Sequence, residues 1–169
     1  MSDAILLASD VSFNYEAPKN ARPILQNVSI SIEPGSIVAI VGESGSGKST
    51  LAKLLCGMLT PTSGQVLYRG APLQSPAEAG LHLLSQEPFS TFNPYHDVRR
   101  ILSEPLLAQA KLPASIDQLT SLLRQALDEV GLDRVALDAS PRSLSGGQLQ
   151  RLALARILLL KPKVIIGDE

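Results

Sequence analysis

The chain has 169 residues, 44% of them hydrophobic and 18% charged, with a formal net charge of -1. That length and balance suit one folded domain with a sizeable core and exclude an intrinsically disordered chain. The near-zero charge offers no basic field for duplex nucleic acid, and none is expected as a partner. Cys56, the single cysteine, excludes an internal disulfide and fits a reducing compartment. Met1-Ser2-Asp3 lacks the basic start of a secretion signal, and no apolar run is long enough to span a bilayer. Any membrane role is therefore expected to pass through a partner.

In chain order, Ala4 to Tyr15 reads as a strand region with partial alternation. Val28-Ser29-Ile30-Ser31-Ile32 alternates strictly, as a half-buried strand does, and Pro34-Gly35 is a turn. Ile37 to Val41 is a short apolar run suited to a buried strand. Leu51, Leu54, Leu55 and Met58 then fall on one helical face, which Thr60-Pro61 ends. Gly64–Tyr68 and Leu81–Leu84 are further strand candidates. From Asp97 the pattern turns helical. Ile116, Leu119, Leu123, Ala126, Leu127 and Val130 share a stripe, with Ser115 and Gln118 as a capping box and Gly131 as a stop. Ser145–Leu160 is the last helix and Val164-Ile165-Ile166 the last strand. The sum is an α/β fold in a single domain, 1–169, with a helical insert at approximately 97–160.

The glycine-rich stretch Gly42-Glu43-Ser44-Gly45-Ser46-Gly47-Lys48-Ser49 matches G-x-x-x-x-G-K-[ST] between an expected strand and an expected helix. Glycines let backbone N–H groups converge on phosphate oxygens, and the helix N-terminus adds a positive dipole. Lys48 is expected to reach the β- and γ-phosphates of a nucleotide and Ser49 to ligand Mg²⁺. The competing reading, a Gly/Ser-rich turn ending by chance in lysine, is a poor match to that context.

Leu144-Ser145-Gly146-Gly147-Gln148 opens a later helix. In isolation it is equally a serine cap with glycines for close packing or a second anion site. Together with the phosphate loop upstream, it resembles the ATPase subunits of ABC transporters. The resemblance implies a P-loop NTPase core with an N-terminal antiparallel β region and a helical insert. It implies ATP and Mg²⁺ as cofactors, with Thr50 completing the nucleotide-binding loop. Ser145, Gly146, Gly147 and Gln148 would then serve the ATP held by a second, opposed ATPase subunit, in a homo- or heterodimer.

Other positions follow from the same resemblance. Tyr15 would stack on adenine, although alone it is a strand tyrosine with a wet hydroxyl. Gln86 would reach Mg²⁺ and the attacking water. Asp168 would hold Mg²⁺ through water as the Walker B aspartate, and Glu169 would polarise the attacking water as general base. The segment Gln86-Glu87-Pro88-Phe89-Ser90-Thr91-Phe92-Asn93-Pro94, followed by Ile101-Leu102-Ser103-Glu104-Pro105-Leu106, is similar to oligopeptide, dipeptide and nickel importer ATPases. The stretch before Gln86 lacks the arginine-rich approach common there. Those importers imply two membrane permease subunits, a substrate-binding protein and a peripheral place on the cytoplasmic face of the membrane.

Relatives of this kind continue beyond the Walker B glutamate to a switch histidine, whereas this sequence stops at Glu169, and His82 and His96 both precede the signature. The C-terminal part of the family domain is expected to be missing, with the strand between Ile37–Val41 and Val164–Ile166. A truncated chain without competent hydrolysis of its own follows as an expectation. Alternatives are a non-catalytic domain that lends its signature to a partner, or a soluble ATPase of translation or repair.

Overall fold

A computed structural model describes residues 4–15, 23–73, 75, 80–85 and 92–168. It divides into two compact units, Met1–Leu83 with Lys163–Asp168, and Leu84–Pro162.

The first unit is built on a four-stranded antiparallel sheet in the order β2-β1-β3-β4. Its strands are β1 (Leu6–Phe13), β2 (Leu25–Ile32), β3 (Ser63–Tyr68) and β4 (Ala71–Pro72). The partial alternation of the first strand has a local cause. Leu6 and Ala8 are buried, then Val11 and Phe13, so the side-chain phase shifts by one residue between them. Both pairings of β1 shift register across that point, and Asp10 there has φ +48°. The bulge is satisfied by side chains: Asp10 N–H donates to Ser29 Oγ at 2.9 Å, and Ser29 Oγ donates to Asp10 Oδ1 at 3.2 Å. Gly64 lies against it with φ +77°, where an added Cβ would sit 2.3 Å from Asp10 O.

Helix α1 (Lys48–Leu55) packs Leu51, Leu54 and Leu55 against the apolar face of β1 and Val66. The expected stripe overreaches at Met58, which lies past the helix end and is 61% exposed. The helix stops sooner than Thr60-Pro61 suggests, because Gly57 turns the chain with φ +70°. Cys56, its C-cap, is buried, and burial raises its thiol pKa, so it stays protonated and unreactive at neutral pH. β5 (Leu81–Leu84) pairs with β6 (Val164–Gly167) in a separate two-stranded sheet.

The expected buried strand at Ile37–Val41 is not formed. The segment has no strand structure, with Ile37 99% and Val41 92% exposed. Among the described residues no strand pairs with it. A strand exists only by hydrogen bonding to neighbours, so apolar composition alone leaves this segment unpaired.

The second unit is helical: α2 (Val98–Ala108), α3 (Ile116–Glu129) and α4 (Gly146–Leu158). Ile101 and Leu102 of α2, Leu123 and Leu127 of α3, and Leu152 of α4 meet in one core without solvent exposure. Asp97 caps α2 by accepting from Arg100 N–H at 2.7 Å, and Ser115 caps α3 by accepting from Gln118 N–H at 3.2 Å. Ile116, counted into the apolar stripe, is 78% exposed, because the first turn of α3 projects beyond the core. Among the described residues no helix is long and apolar enough to cross a membrane.

Candidate functional site

The glycine-rich loop connects the unpaired apolar segment to α1. Gly47 is the N-cap of the helix with φ +97°, and a Cβ there would lie 2.8 Å from Leu25 Cδ2 and 3.2 Å from Ile24 O. Both the backbone conformation and the packing demand glycine at this point. Gly42 to Ser46 are exposed, and within the loop Ser46 N–H donates to Glu43 O at 3.2 Å. Lys48 curls back over the loop, its Nζ donating to the carbonyl oxygens of Gly42 and Glu43, each at 2.9 Å.

Ser49 and Asp168, far apart in sequence, meet here: Ser49 Oγ donates to Asp168 Oδ1 at 2.9 Å. The meeting follows from the fold, since β6 delivers Asp168 beside the first turn of α1. Two hard oxygen donors side by side at a phosphate loop suit Mg²⁺, which favours oxygen ligands and retains several waters. Thr50, the next residue, is buried, and its Oγ1 lies 3.4 Å from the Tyr15 hydroxyl. Tyr15 is 53% exposed and stands edge-on to Phe13, with ring centroids 5.0 Å apart. Its ring therefore has a fixed support and an accessible surface. Gln86 and Glu169 lie outside the described residues.

In the second unit Ser145 caps α4 through a complete capping box. Ser145 Oγ accepts from Gln148 N–H at 3.3 Å, and Gln148 Oε1 accepts from Ser145 N–H at 2.8 Å. The Ser-x-x-Gln spacing was the available signal for this reciprocal pairing, which a reading of Ser145 as a simple cap misses. Ser145→Ala is expected to cost about 1 kcal/mol of stability, measurable by urea titration, whether or not a ligand binds there.

Gly146 and Gly147 open the helix without crowding from the rest of the chain. A Cβ built on either meets nothing within 4 Å. Close packing within the chain therefore does not require them. Glycine has a lower helix propensity than alanine, and no packing within the chain calls for it here. The exposed N-terminal N–H groups and the helix dipole favour an anion there.

A polar cluster in the same unit joins Glu104, which lies in the segment similar to importer ATPases, to residues that segment does not include. Glu104 of α2 places Oε1 2.7 Å from His96 Nδ1 and Oε2 3.3 Å from Arg156 of α4.

Residues 25–169 match the family model described as ABC transporter. The chain is 39% identical over 177 residues to the nickel import ATP-binding protein NikE of Shigella dysenteriae, covering 98% of this chain and 65% of that protein. It is 38% identical over 176 residues to the probable D,D-dipeptide transport ATP-binding protein DdpF of Escherichia coli, covering 100% of this chain and 54% of that protein. The chain thus spans less than two thirds of these curated relatives. Among solved structures it resembles cbiO1 of Clostridium perfringens, part of the ABC transporter complex cbiONQ, with TM-score 0.80, 27% identity, and coverage of 99% of this chain and 66% of that one. It also resembles the ATP-binding cassette MJ0796, a dimer in a post-hydrolysis state bound to ADP and Pi, with TM-score 0.83, 26% identity, and coverage of 97% of this chain and 73% of that one. The chain belongs to the ABC transporter family, among ATP-binding subunits related to the nickel and dipeptide import proteins.

Proposed function

We propose that this chain is the ATP-binding part of a peptide- or nickel-type importer subunit, which couples ATP binding and hydrolysis to transport through membrane partners. The carrying observation is the 2.9 Å contact between Ser49 Oγ and Asp168 Oδ1 beside the exposed phosphate loop. ATP would seat its phosphates on the N–H groups of Gly42–Ser49, and Lys48 would leave its two carbonyls for the β- and γ-oxygens. Tyr15 would support the adenine ring. Ser49 and Asp168 would hold Mg²⁺, which when bound offsets phosphate charge. Ser145 and the start of α4 would meet the ATP of a second subunit, a role favoured by the open space at Gly146 and Gly147. Gln86 would orient the attacking water and Glu169 would take its proton. The helical insert would form a subdomain of a single ATPase domain. Two permease subunits, approached through the 86–106 region, and a substrate-binding protein complete the assembly on the cytoplasmic face of the membrane.

A second reading, in which the chain only lends Ser145–Gln148 to a partner ATPase, is favoured by one observation. Val41, which leads directly into the phosphate loop, is 92% exposed, so the loop does not rest on a paired strand.

Nucleotide titration and steady-state turnover, with the chain alone and mixed with a full-length related subunit, separate the two. The first reading expects Mg²⁺-dependent ATP binding by the chain itself, weakened in Asp168→Asn, and loses its basis if no nucleotide binds. The second expects no binding at Lys48 but a partner turnover that rises on mixing and fails to rise with Ser145→Ala.

A further inference from the structure

We propose that Glu104 and Arg156 are positioning residues that clamp the loop 92–97 to the signature helix α4 and thereby hold Ser145 in place. One carboxylate serves two elements, with Oε1 on His96 of the loop and Oε2 on Arg156 of the helix. Arg156 also lies over the ring of Phe92, at the start of the loop, 5.8 Å from its centroid. At the other end of the helix Arg142, just ahead of Ser145, lies 5.5 Å from the Tyr95 centroid. The loop therefore runs as a strut between the approach to α4 and its last turn. Its exit is pinned as well: Val98 N–H donates to Ala139 O at 3.0 Å and Arg99 N–H to Leu137 O at 2.7 Å.

The protonation pattern within the clamp is determined by its neighbours. Asn93 Oδ1 accepts from Tyr95 N–H at 3.0 Å, which leaves the Asn93 amide nitrogen facing His96 Nε2 at 3.3 Å. An NH₂ group can only donate, so Nε2 accepts and the ring proton sits on Nδ1. Nδ1 is closed off from solvent and makes no hydrogen bond among the described residues, the Glu104 oxygen 2.7 Å away lying outside hydrogen-bond geometry. Two bare acceptors would repel at 2.7 Å, so a proton on Nδ1 is what lets the two atoms lie this close.

The clamp does something the apolar core does not. Of residues 92–97 only Phe92 belongs to the buried cluster, so the position of the loop rests on these polar contacts. With the three side chains between 27% and 29% exposed, each of these polar contacts alone is weak. Their shared use of one carboxylate gives them geometric rather than energetic weight.

The test is hydrogen exchange followed residue by residue by NMR on the full chain. Glu104→Gln, which keeps the shape and removes the charge, is expected to speed the amides of 93–97 and of 143–149 by at least about threefold, within the range a partly exposed ion pair supports. Residues 116–129 are expected to keep their rates. Tyr95→Ala, at a side chain 87% exposed and safe for folding, is expected to act in the same direction more weakly. Unchanged rates at 143–149 in Glu104→Gln overturn the proposal, as does a uniform rise that includes 116–129.

A second arm rests on the reading that Ser145 serves a partner's nucleotide. Glu104→Gln is expected to weaken ATP-dependent pairing with a related subunit while leaving the chain's own affinity for a fluorescent ATP analogue unchanged. Equal loss of both overturns the positioning role. If the unsubstituted chain does not pair at all, the partner reading fails, and the exchange measurement still decides the clamp.

Discussion

Lys48→Ala is expected to weaken ATP binding about ten- to a hundredfold, the range of a lost charge-assisted hydrogen bond to phosphate. The reason lies in what Lys48 does before nucleotide arrives. Its Nζ is held by two carbonyl oxygens of the loop, Gly42 O and Glu43 O. Both acceptors are neutral and exposed, so giving them up for phosphate costs little, and the gain is ionic. The same exposure means that the substitution should barely affect folding, with stability changed by less than about 1 kcal/mol. Titration with a fluorescent ATP analogue and urea unfolding of the same sample separate the two effects. Equal affinity in Lys48→Ala and the unsubstituted chain would remove the phosphate loop as the binding site.

The second large contrast is one of stability within the first unit. Leu54→Ala is expected to cost about 2–5 kcal/mol, since Leu54 is 1% exposed and its loss leaves a cavity. Ile37→Ser, an equally drastic change on paper, is expected to cost less than about 0.5 kcal/mol, the usual bound for an exposed position, because Ile37 is 99% exposed. Ile37, Val38, Ile40 and Val41 together present an unpaired apolar ribbon, a liability for association. Ile37→Ser should therefore raise solubility while leaving the urea midpoint in place. A midpoint that drops as far as it does for Leu54→Ala, at all protein concentrations, would mean that the segment is buried in solution.

These positions show what local sequence can and cannot carry. The strands β1, β2, β3, β5 and β6 and the helices are legible because each has a one-sided apolar pattern and a neighbour to bury it. Ile37–Val41 has the composition without the neighbour, and pairing is not a local property. Met58 and Ile116 fail for a related reason: periodicity continues past the last turn that touches a core. The phosphate loop and the signature are readable because their chemistry depends on contiguous backbone, whereas the meeting of Ser49 with Asp168 needs the fold to bring β6 to α1. Phe92 and Glu104 lie in the segments similar to importer ATPases, but their meeting with Arg156 is not legible in the sequence. The partners in the clamp are scattered from Phe92 to Arg156, and each charged residue by itself looks like an ordinary solvated one.

Cys56 gives the chain a chemical clock. It is the sole thiol, 4% exposed, and set at the end of α1 inside the first unit's core. Alkylation needs a thiolate that reaches the reagent, so the residue reacts only when that core opens. Its labelling rate under native conditions counts those openings one by one, and the helical unit, which has no cysteine, contributes nothing to the signal. Breathing of one half of the molecule can thus be timed without touching the other.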